Sequence, residues 1–160
     1  MLKPTDKHYA EKVLKYLFLG SQIDSIEFGL SSKTTKIYFV NYTKLNHFAG
    51  KLYLNIESSW CIDNQSFPTE QLGLLTLQLD IARKQIYENR SQKIVDISLG
   101  EVSPHLEFTL ENGRTLYVYG YHDQYESWEA GVQDAPDWLV VAIPGNDIAV
   151  WSTDAFDFED

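Results

Sequence analysis

The feature that most constrains the fold of this chain is a repeated order of elements, one helix followed by three strands. The segment I-D-S-I-E-F-G at 23–29 matches I-V-D-I-S-L-G at 94–100, an offset of 71 residues. Phe39 aligns with Phe108 at an offset of 69, and Trp60 of E-S-S-W aligns with Trp128 of Y-E-S-W at 68. Short deletions in loops would explain the drift. Chance similarity is the alternative, because alternating Ile and Phe recur in any sheet protein.

Hydrophobic periodicity places the helices. The first is predicted to be capped by Thr5 or Asp6 and to end at Gly20, with an apolar face made of Tyr9, Ala10, Val13, Leu14, Leu17 and Phe18. The second is predicted to begin at Thr69 after Pro68, with Leu72, Leu75, Leu79, Ala82 and Ile86 on one face. Residues 74–79 can also be read as a strand, because Gly73 weakens the helix.

Alternating and β-branched residues place the strands. In the first unit they fall at Ile26, Phe28 and Leu30, at 37–42 and at 51–56, and in the second at 94–99, 106–110 and 115–119. Asn112-Gly113 predicts a hairpin. The apolar run 138–143, a type II turn at Pro144-Gly145 and the segment 148–151 predict a second, terminal hairpin.

These elements predict one α+β domain over 1–152, followed by an acidic tail at 153–160. Its two helix-plus-three-stranded antiparallel units, about 5–60 and 69–128, are related by a pseudo-repeat, and the C-terminal β-hairpin covers 138–151. Each unit would bury one helix against one sheet, and the two could pair about a pseudo-twofold axis. A chain of 160 residues buries enough surface to need no disulfide or metal staple.

Charge is distributed unevenly along the chain, whose net charge is −10. Residues 94–160 hold 14 acidic residues and one basic residue, Arg114, whereas residues 1–93 hold 12 basic and 9 acidic residues. A nucleic-acid partner is therefore not expected, because the acidic half would repel phosphates and the basic excess elsewhere is small. A basic protein partner fits this distribution. The alternative is that the acidic surface only keeps the protein dispersed.

The sequence also bears on compartment. Cys61 is the single cysteine and cannot form an internal disulfide, so a reducing cytoplasm suits the chain. No signal peptide is expected, because charged residues recur behind the N-terminus. The longest apolar run, 138–143, has six residues, against the roughly 20 that a membrane-spanning helix needs. We therefore expect a soluble, cytoplasmic protein without a membrane partner.

Few residues suggest a catalytic or metal-binding role. His122, Asp123 and Glu126 could form a metal site or a general acid-base pair, but no second His or Cys cluster accompanies them, and a polar loop is favoured. Cys61 could use a His base, with His47, His105 or His122 as candidates, although a buried thiol is the commoner role. G-x-S-x-G, Walker and G-x-G-x-x-G motifs are absent. No cofactor, metal or catalytic residue is predicted.

Aromatic and acidic residues concentrate between 123 and 137. Rigid rings surrounded by carboxylates suit a protein interface, in which rings anchor a basic partner and charges steer it. The predicted partner-binding residues are Asp123, Tyr125, Glu126, Trp128, Glu129, Asp134 and Asp137. Trp138 and Trp151 belong to the same aromatic concentration. Core burial is the alternative for Trp128 and Trp151, because both are placed on strands.

The last 60 residues resemble a known group of sequences. F-T-L-E-N-G-R-T-L-Y-V at 108–118, Y-E-S-W at 125–128 and I-P-G-N-D-I-A-V-W at 143–151 look like a family of small uncharacterised bacterial domains. That family's pattern runs D/N-G-R-x-L, Y-E-x-W and a closing P-G-G-x-x-A-x-W, and Asn146 departs from it at the second glycine. Some such domains resemble immunity proteins of bacterial toxin systems. The resemblance carries no established activity.

The sequence thus predicts a non-enzymatic protein-binding domain, an immunity-type inhibitor of a basic bacterial toxin. An inhibitor of this kind must bind quickly, and an acidic surface raises its association rate with a cationic partner. One alternative is a small enzyme with a cleft containing His122 and Glu126. The other is a structural subunit or homodimer that buries its aromatic surface between copies.

Overall fold

Two helices and ten antiparallel strands make an α+β fold in the part of the chain that the structure describes. The computed structural model describes residues 1–28, 34–42, 51–63 and 79–153. The helices are α1 (Pro4–Phe18) and α2 (Leu79–Glu88). The strands are β1 (Gln22–Phe28), β2 (Thr35–Val40), β3 (Leu52–Ile56), β4 (Trp60–Asp63), β5 (Ile94–Leu99), β6 (Leu106–Leu110), β7 (Thr115–Val118), β8 (Trp128–Val132), β9 (Ala135–Ile143) and β10 (Asp147–Trp151).

The strands form two sheets, and each sheet contains strands from both halves of the sequence. The six-stranded sheet has the order β1-β2-β3-β8-β9-β10, and the four-stranded sheet has the order β4-β7-β6-β5. Strand β4 therefore leaves the first three strands and pairs with β7, whereas β8 leaves β7 and pairs with β3. Five of the six predicted strands of the two units agree with the observed strands to within about two residues at each end, whereas β1 begins at Gln22, four residues before the predicted Ile26. Strands β4 and β8 were not predicted.

Helix α1 forms because its apolar residues recur on one face, and Ala10, Val13, Leu14, Leu17 and Phe18 are all buried. The predicted cap at Thr5 or Asp6 is wrong. The helix begins at Pro4 with Lys3 at the N-cap position, and Lys3 makes no side-chain capping bond. Proline suits the first helical position because its missing N–H needs no acceptor there.

The ends of both helices can be compared with prediction. Gly20 follows α1 with a φ of 82°, which agrees with the predicted stop. The predicted start of α2 at Thr69 lies outside the described residues, as do Leu72 and Leu75. Within the described part of α2, Ala82 and Ile86 are buried as predicted.

Three aromatic rings join the two sheets and α1 in one core. Phe39 of β2 lies 5.8 Å from Phe108 of β6 between ring centroids, and Phe18 of α1 lies 5.4 Å from the first and 5.2 Å from the second. Helix α1 packs against β5 and β10, and α2 packs against β1 and β4. The expectation that each unit buries its own helix on its own sheet is corrected, because each helix contacts an edge strand of both sheets.

The first strands of the two halves share an irregularity in strand register. Both first strands carry a register shift, between Ile23 and Ser25 in β1 and between Ile94 and Asp96 in β5, at an offset of 71. Ile23 pairs with Phe39, whereas Ile94 pairs with Leu110. Phe39 and Leu110 therefore occupy the same position relative to the register shift. The sequence alignment instead matches Phe39 with Phe108, two residues earlier.

The two aligned tryptophans begin the exchanged strands. Trp60 is the first residue of β4 and pairs with Val118 at the end of β7, and Trp128 is the first residue of β8 and pairs with Ile56 at the end of β3. The sequence alignment of the two tryptophans predicts equivalent positions for them, at the ends of the third strands of the two units. Each instead begins a fourth strand, because the chain continues past the third strand into the other sheet.

The end of the described chain returns as an antiparallel pair. Strands β9 and β10 pair from Asp147 opposite Ile143 to Trp151 opposite Leu139, and the Tyr9 hydroxyl of α1 contacts the Ser152 hydroxyl at 2.7 Å. The predicted acidic tail lies outside the described residues beyond Thr153. Cys61 is buried on β4 opposite Tyr117. Neither α1 nor the described part of α2 is long and apolar enough to cross a membrane.

The turn between β9 and β10 generates a stability prediction. Gly145 has a φ of 84°, which β-branched residues adopt only with strain, and a β-carbon added there would meet no described atom within 4 Å. Gly145→Val should lower the free energy of unfolding by about 1–3 kcal/mol, measured by urea denaturation. Gly145→Asn should cost much less, because asparagine tolerates a positive φ. Equal stability of wild type and the valine variant would contradict a conformational requirement at this turn.

Candidate functional site

The chain crosses between the two sheets twice, and the two crossings differ in length. Ile56 ends β3 and Trp60 begins β4, so the short crossing contains three residues, 57–59. Val118 ends β7 and Trp128 begins β8, so the long crossing contains nine residues, 119–127. Three residues therefore suffice for a connection of this kind. The long crossing contains six more than the short one needs.

The two crossings are hydrogen-bonded to each other where they pass. The Tyr119 amide donates to the Ser59 carbonyl at 2.9 Å, and the Glu57 amide donates to the Ser127 carbonyl at 3.0 Å. The Ser58 hydroxyl donates to the Tyr119 carbonyl. These bonds use residues at both ends of the long crossing and leave 121–126 outside the paired region. All six of those residues are exposed.

The exposed part of the long crossing has a defined conformation. The His122 Nδ1 atom accepts the amides of Gln124 at 2.9 Å and Tyr125 at 3.0 Å. The His122 and Tyr125 rings lie 5.0 Å apart between centroids. The Gly145 amide of the terminal turn donates to the His122 carbonyl at 3.1 Å. This network positions Tyr125 and ties the long crossing to the β9–β10 turn.

The start of the long crossing is fixed by close backbone packing. The Gly120 amide donates to the buried Nδ1 atom of His105 at 2.9 Å, and the His105 ring stacks on Tyr119 with centroids 4.8 Å apart. A β-carbon on residue 120 would lie 2.0 Å from the Pro104 carbonyl oxygen. Only glycine allows this approach. His105, one of the candidate bases for Cys61, is thus occupied in fixing the crossing.

A cleft of about 650 Å³ opens where the crossings meet, and we call it the crossing cleft. Its described lining comes from both crossings and from the residue before β2. The lining residues are Thr34, Glu57, Ser58, Ser59, Tyr119, Tyr121, His122, Tyr125, Glu126 and Ser127. The described lining therefore contains three phenol rings, two carboxylates and one imidazole, and neither lysine nor arginine.

A smaller, polar recess of about 110 Å³ adjoins the crossing cleft and shares Glu57 and Glu126 with it. Asn55, Trp128 and Glu129 complete its lining. The pKa of the half-buried Glu129 is raised, first by burial and then by the nearby charge of Glu126, with a further contribution from Glu57; Lys36 opposes the shift. Negative charge at this end of the six-stranded sheet is thus incompletely balanced.

The structure divides the predicted partner-binding residues into three groups. Tyr125 and Glu126 line the crossing cleft, Asp123 is exposed in the same loop, and Glu129 lies in the adjoining recess. Asp134 and Asp137 are exposed beyond the other end of β8. The length of β8, at about 3.3 Å per residue, separates them from the cleft by roughly 15–20 Å.

Trp128 belongs to the core and not to the surface. Its side chain is 1% exposed, and its indole Nε1 atom donates to the Pro104 carbonyl at 2.8 Å. This placement removes the Trp128 ring from the predicted binding surface, because a ring without accessible area cannot anchor a partner. Trp151, for which burial was also considered, is 51% exposed. Trp138 is half-buried and stacks on Tyr16.

The geometry limits the chemistry of the cleft. His122 and Glu126 both line it, as the enzymatic alternative requires. The His122 Nδ1 atom, however, accepts two backbone amides, so the hydrogen of the neutral ring lies on Nε2. The His122 Nδ1 atom also lies 3.4 Å from a carboxylate oxygen of Asp123. Among the described residues no group of three potential ligands could hold a metal ion.

Sequence reasoning missed the contribution of the short crossing. Glu57, Ser58 and Ser59 face the acidic loop although they lie more than 60 residues before it. Tyr119 and Tyr121 were also not singled out. One signal was present in the spacing, because the chain has far fewer residues between Ile56 and Trp60 than between Val118 and Trp128. Reading that difference as a functional insertion requires knowing that both segments make the same crossing.

The raised pKa of Glu129 generates a pH prediction. A carboxyl whose pKa is higher in the folded than in the unfolded state destabilises the fold once it is ionised, and the penalty grows as pH rises above the unfolded-state pKa. Glu129→Gln should therefore stabilise the protein at pH 7, and this gain should disappear below about pH 4, where both states are protonated. Urea denaturation across pH measures it.

Asp137→Asn, at an exposed position beyond β8, is the matched control for removing one negative charge. It should stabilise less than Glu129→Gln at pH 7. An unchanged or lowered stability of Glu129→Gln at that pH would show that burial and the neighbouring carboxylates do not disfavour the charge on Glu129.

Comparisons of the chain with protein-family models, with curated proteins and with solved structures found no match.

Proposed function

We propose that the two halves of the chain are copies of one unit, each made of a helix and four strands, with the fourth strands exchanged between the sheets. The shared register shift of β1 and β5 supports this. A positive φ follows each helix, 82° at Gly20 and 70° at Ser91, again at an offset of 71. Glycine and serine share an unusual backbone conformation here, which sequence similarity alone would not reveal.

Reciprocal hydrogen bonds support the same proposal. The Gly20 amide donates to the Ile94 carbonyl at 2.8 Å, and the Ser91 amide donates to the Ile23 carbonyl at 3.0 Å. The donors Gly20 and Ser91 differ by 71 in residue number, and so do the acceptors Ile23 and Ile94. Each bond therefore joins one half of the chain to the other, and the two bonds are equivalent with the halves exchanged. Gln22 also bridges to Lys93, its own counterpart at that offset. A pair of equivalent residues that contact each other is expected beside a twofold axis.

The unequal crossings are the observation that carries the functional proposal. If the halves are copies, the short crossing is the minimal connection and residues 121–126 are an addition to the second copy. Added residues that are exposed, conformationally fixed and rich in aromatic and charged groups are typical of binding loops on a rigid scaffold. We therefore assign function to the crossing cleft.

We propose that the crossing cleft binds a basic protein and that this chain is a non-enzymatic, immunity-type inhibitor of a bacterial toxin. Two carboxylates and exposed tyrosines in the described lining suit a basic surface. Residues 94–160 contain 14 acidic residues and one basic residue, and this negative charge would steer such a partner from a distance. A bound cation would also offset the repulsion from Glu126 and Glu57, which adds to the effect of burial in raising the pKa of Glu129.

A small enzyme remains the second candidate, because His122 and Glu126 line one cleft. The hydrogen bonds to His122 Nδ1 favour binding over general-base catalysis, since breaking them would release Tyr125 from its position. Stabilisation of the protein in a melting screen by one class of small metabolite, and not by basic peptides, would favour the enzyme.

The loop itself can be tested by deletion. Removing residues 121–126 leaves Tyr119, Gly120 and Ser127, three residues as in the short crossing, and keeps the bonds that join the crossings. The free energy of unfolding should change by no more than about 1 kcal/mol, because a shorter loop offsets the lost bond to Gly145. Binding to the partner should be lost. A deletion variant that fails to fold would contradict the view that these residues are an addition.

Association kinetics test the electrostatic part of the proposal. Charge reversal by Glu126→Lys and Glu129→Lys should slow association with the product of an adjacent toxin-like gene by roughly tenfold at low salt. The wild-type rate should fall as salt shortens the Debye length towards about 8 Å. Stopped-flow fluorescence at several salt concentrations measures both effects.

Asp134→Lys and Asp137→Lys form the matched control, because they add the same charge beyond the far end of β8. They should slow association less than the pair at the cleft. Equal effects of the two pairs would mean that only net charge matters, and a salt-independent rate or the absence of binding would contradict the proposed function.

A further inference from the structure

The crossing cleft combines features that recognise one kind of side chain. Glu57 and Glu126 come from different crossings and both line the cleft, together with Tyr119, Tyr121 and Tyr125. Its described lining contributes negative charge and aromatic surface without a cation of its own. A volume of about 650 Å³ is large enough for a long side chain and the surrounding water. An extended cationic side chain is therefore the complementary occupant.

We propose that the crossing cleft accepts an arginine side chain of the basic partner, with the guanidinium between Glu57 and Glu126 and against the tyrosine rings. This inference deepens the proposed function and rests on it. The carboxylates accept the N–H groups of the guanidinium, which presents five donors in a fixed plane. The tyrosines offer ring faces on which a planar cation stacks.

Arginine suits this cleft better than lysine for two reasons. The cleft is open, so an ammonium would stay strongly hydrated and gain little by entering, whereas a guanidinium is weakly hydrated and loses less. The carboxylates also come from two separate segments, and the forked geometry of a guanidinium can contact both at once. A compact ammonium offers no equivalent stacking plane. The choice between the two cations is therefore measurable.

The cleft is held ready for such a ligand by contacts that do not involve its carboxylates. The Tyr119 ring is held by stacking on the His105 ring. Tyr125 is positioned by the hydrogen bond that its amide donates to His122 Nδ1. Backbone bonds between the crossings fix Glu57 close to Ser127. Rigid aromatic groups reduce the entropy lost on binding. Side-chain variants of the two glutamates should consequently leave the cleft itself intact.

The test uses three small probes that differ in one group: N-acetyl-arginine amide, N-acetyl-lysine amide and N-acetyl-citrulline amide. Citrulline keeps the shape of arginine but has no charge. Amide chemical shifts of the whole 160-residue chain are followed by two-dimensional NMR during titration. The arginine probe should bind in the millimolar range and shift residues of 57–59 and 119–127, the lysine probe should bind more weakly, and the citrulline probe should not bind.

Isosteric variants localise the binding. Glu57→Gln and Glu126→Gln should each weaken arginine binding by about tenfold, because each removes one charge-assisted acceptor and keeps the shape of the side chain. Asp137→Asn is the matched control and should leave the affinity unchanged. The spectrum of each free variant reports whether it is folded, so loss of binding is not confused with loss of structure.

Several results would overturn the inference. Equal binding of arginine and citrulline would show that charge is not recognised, and equal binding of arginine and lysine would show an unselective acidic cleft. Arginine affinity unchanged in Glu57→Gln and Glu126→Gln would place the probe elsewhere. If the probe fails while charge reversal at Glu126 and Glu129 still slows the protein partner, only the arginine inference fails. If the probe binds and no basic protein does, the proposed function fails.

Discussion

The exchange of β4 and β8 between the sheets is the constraint on which the rest of the structure depends. Pairing of β3 with β8 and of β7 with β4 forces two segments of chain to pass each other at one place. Their passage creates the crossing cleft and brings Glu57 beside a loop that lies about twice as far along the chain. The same exchange sets Trp60 and Trp128 at the starts of buried strands. The crossing cleft and the core therefore have a common origin.

Local sequence patterns predicted the elements whose stability is decided locally. The face of α1, the strands β1, β2, β3, β5, β6 and β7, and the Asn112-Gly113 hairpin all follow from periodicity and turn chemistry. The cap of α1 was placed wrongly because the helix begins at Pro4, whose fixed φ suits the first helical position, so that Thr5 and Asp6 lie inside the first turn. Strands β4 and β8 were missed because their short sequences become strands only through pairing with a strand from the other half.

Sequence patterns predicted only the part of the candidate site that is contiguous in sequence. Tyr125 and Glu126 stood out because they are close in sequence, and the structure places both on the cleft. Glu57 and Ser59 have no local signal, since only the crossing of two distant segments brings them there. Trp128 was named as a partner-binding residue because of its acidic neighbours, with core burial as the alternative, and the structure shows it buried. On a strand, however, alternate residues face opposite sides, so a buried Trp128 can adjoin the half-buried Glu129.

The placement of the helices has a consequence for synthesis of the chain. When residues 1–63 have left the ribosome, β4 has no β7 to pair with, and the apolar face of α1 has neither β5 nor β10 to cover it. The nascent first half therefore carries an unpaired strand until β7 has emerged, and the apolar face of α1 is fully covered only after β10 has emerged. The four-stranded sheet can be completed once β7 is available, whereas the six-stranded sheet has to wait for β10, its last strand in chain order. During that interval the nascent chain is a natural client for chaperones that shield exposed strands and apolar helices.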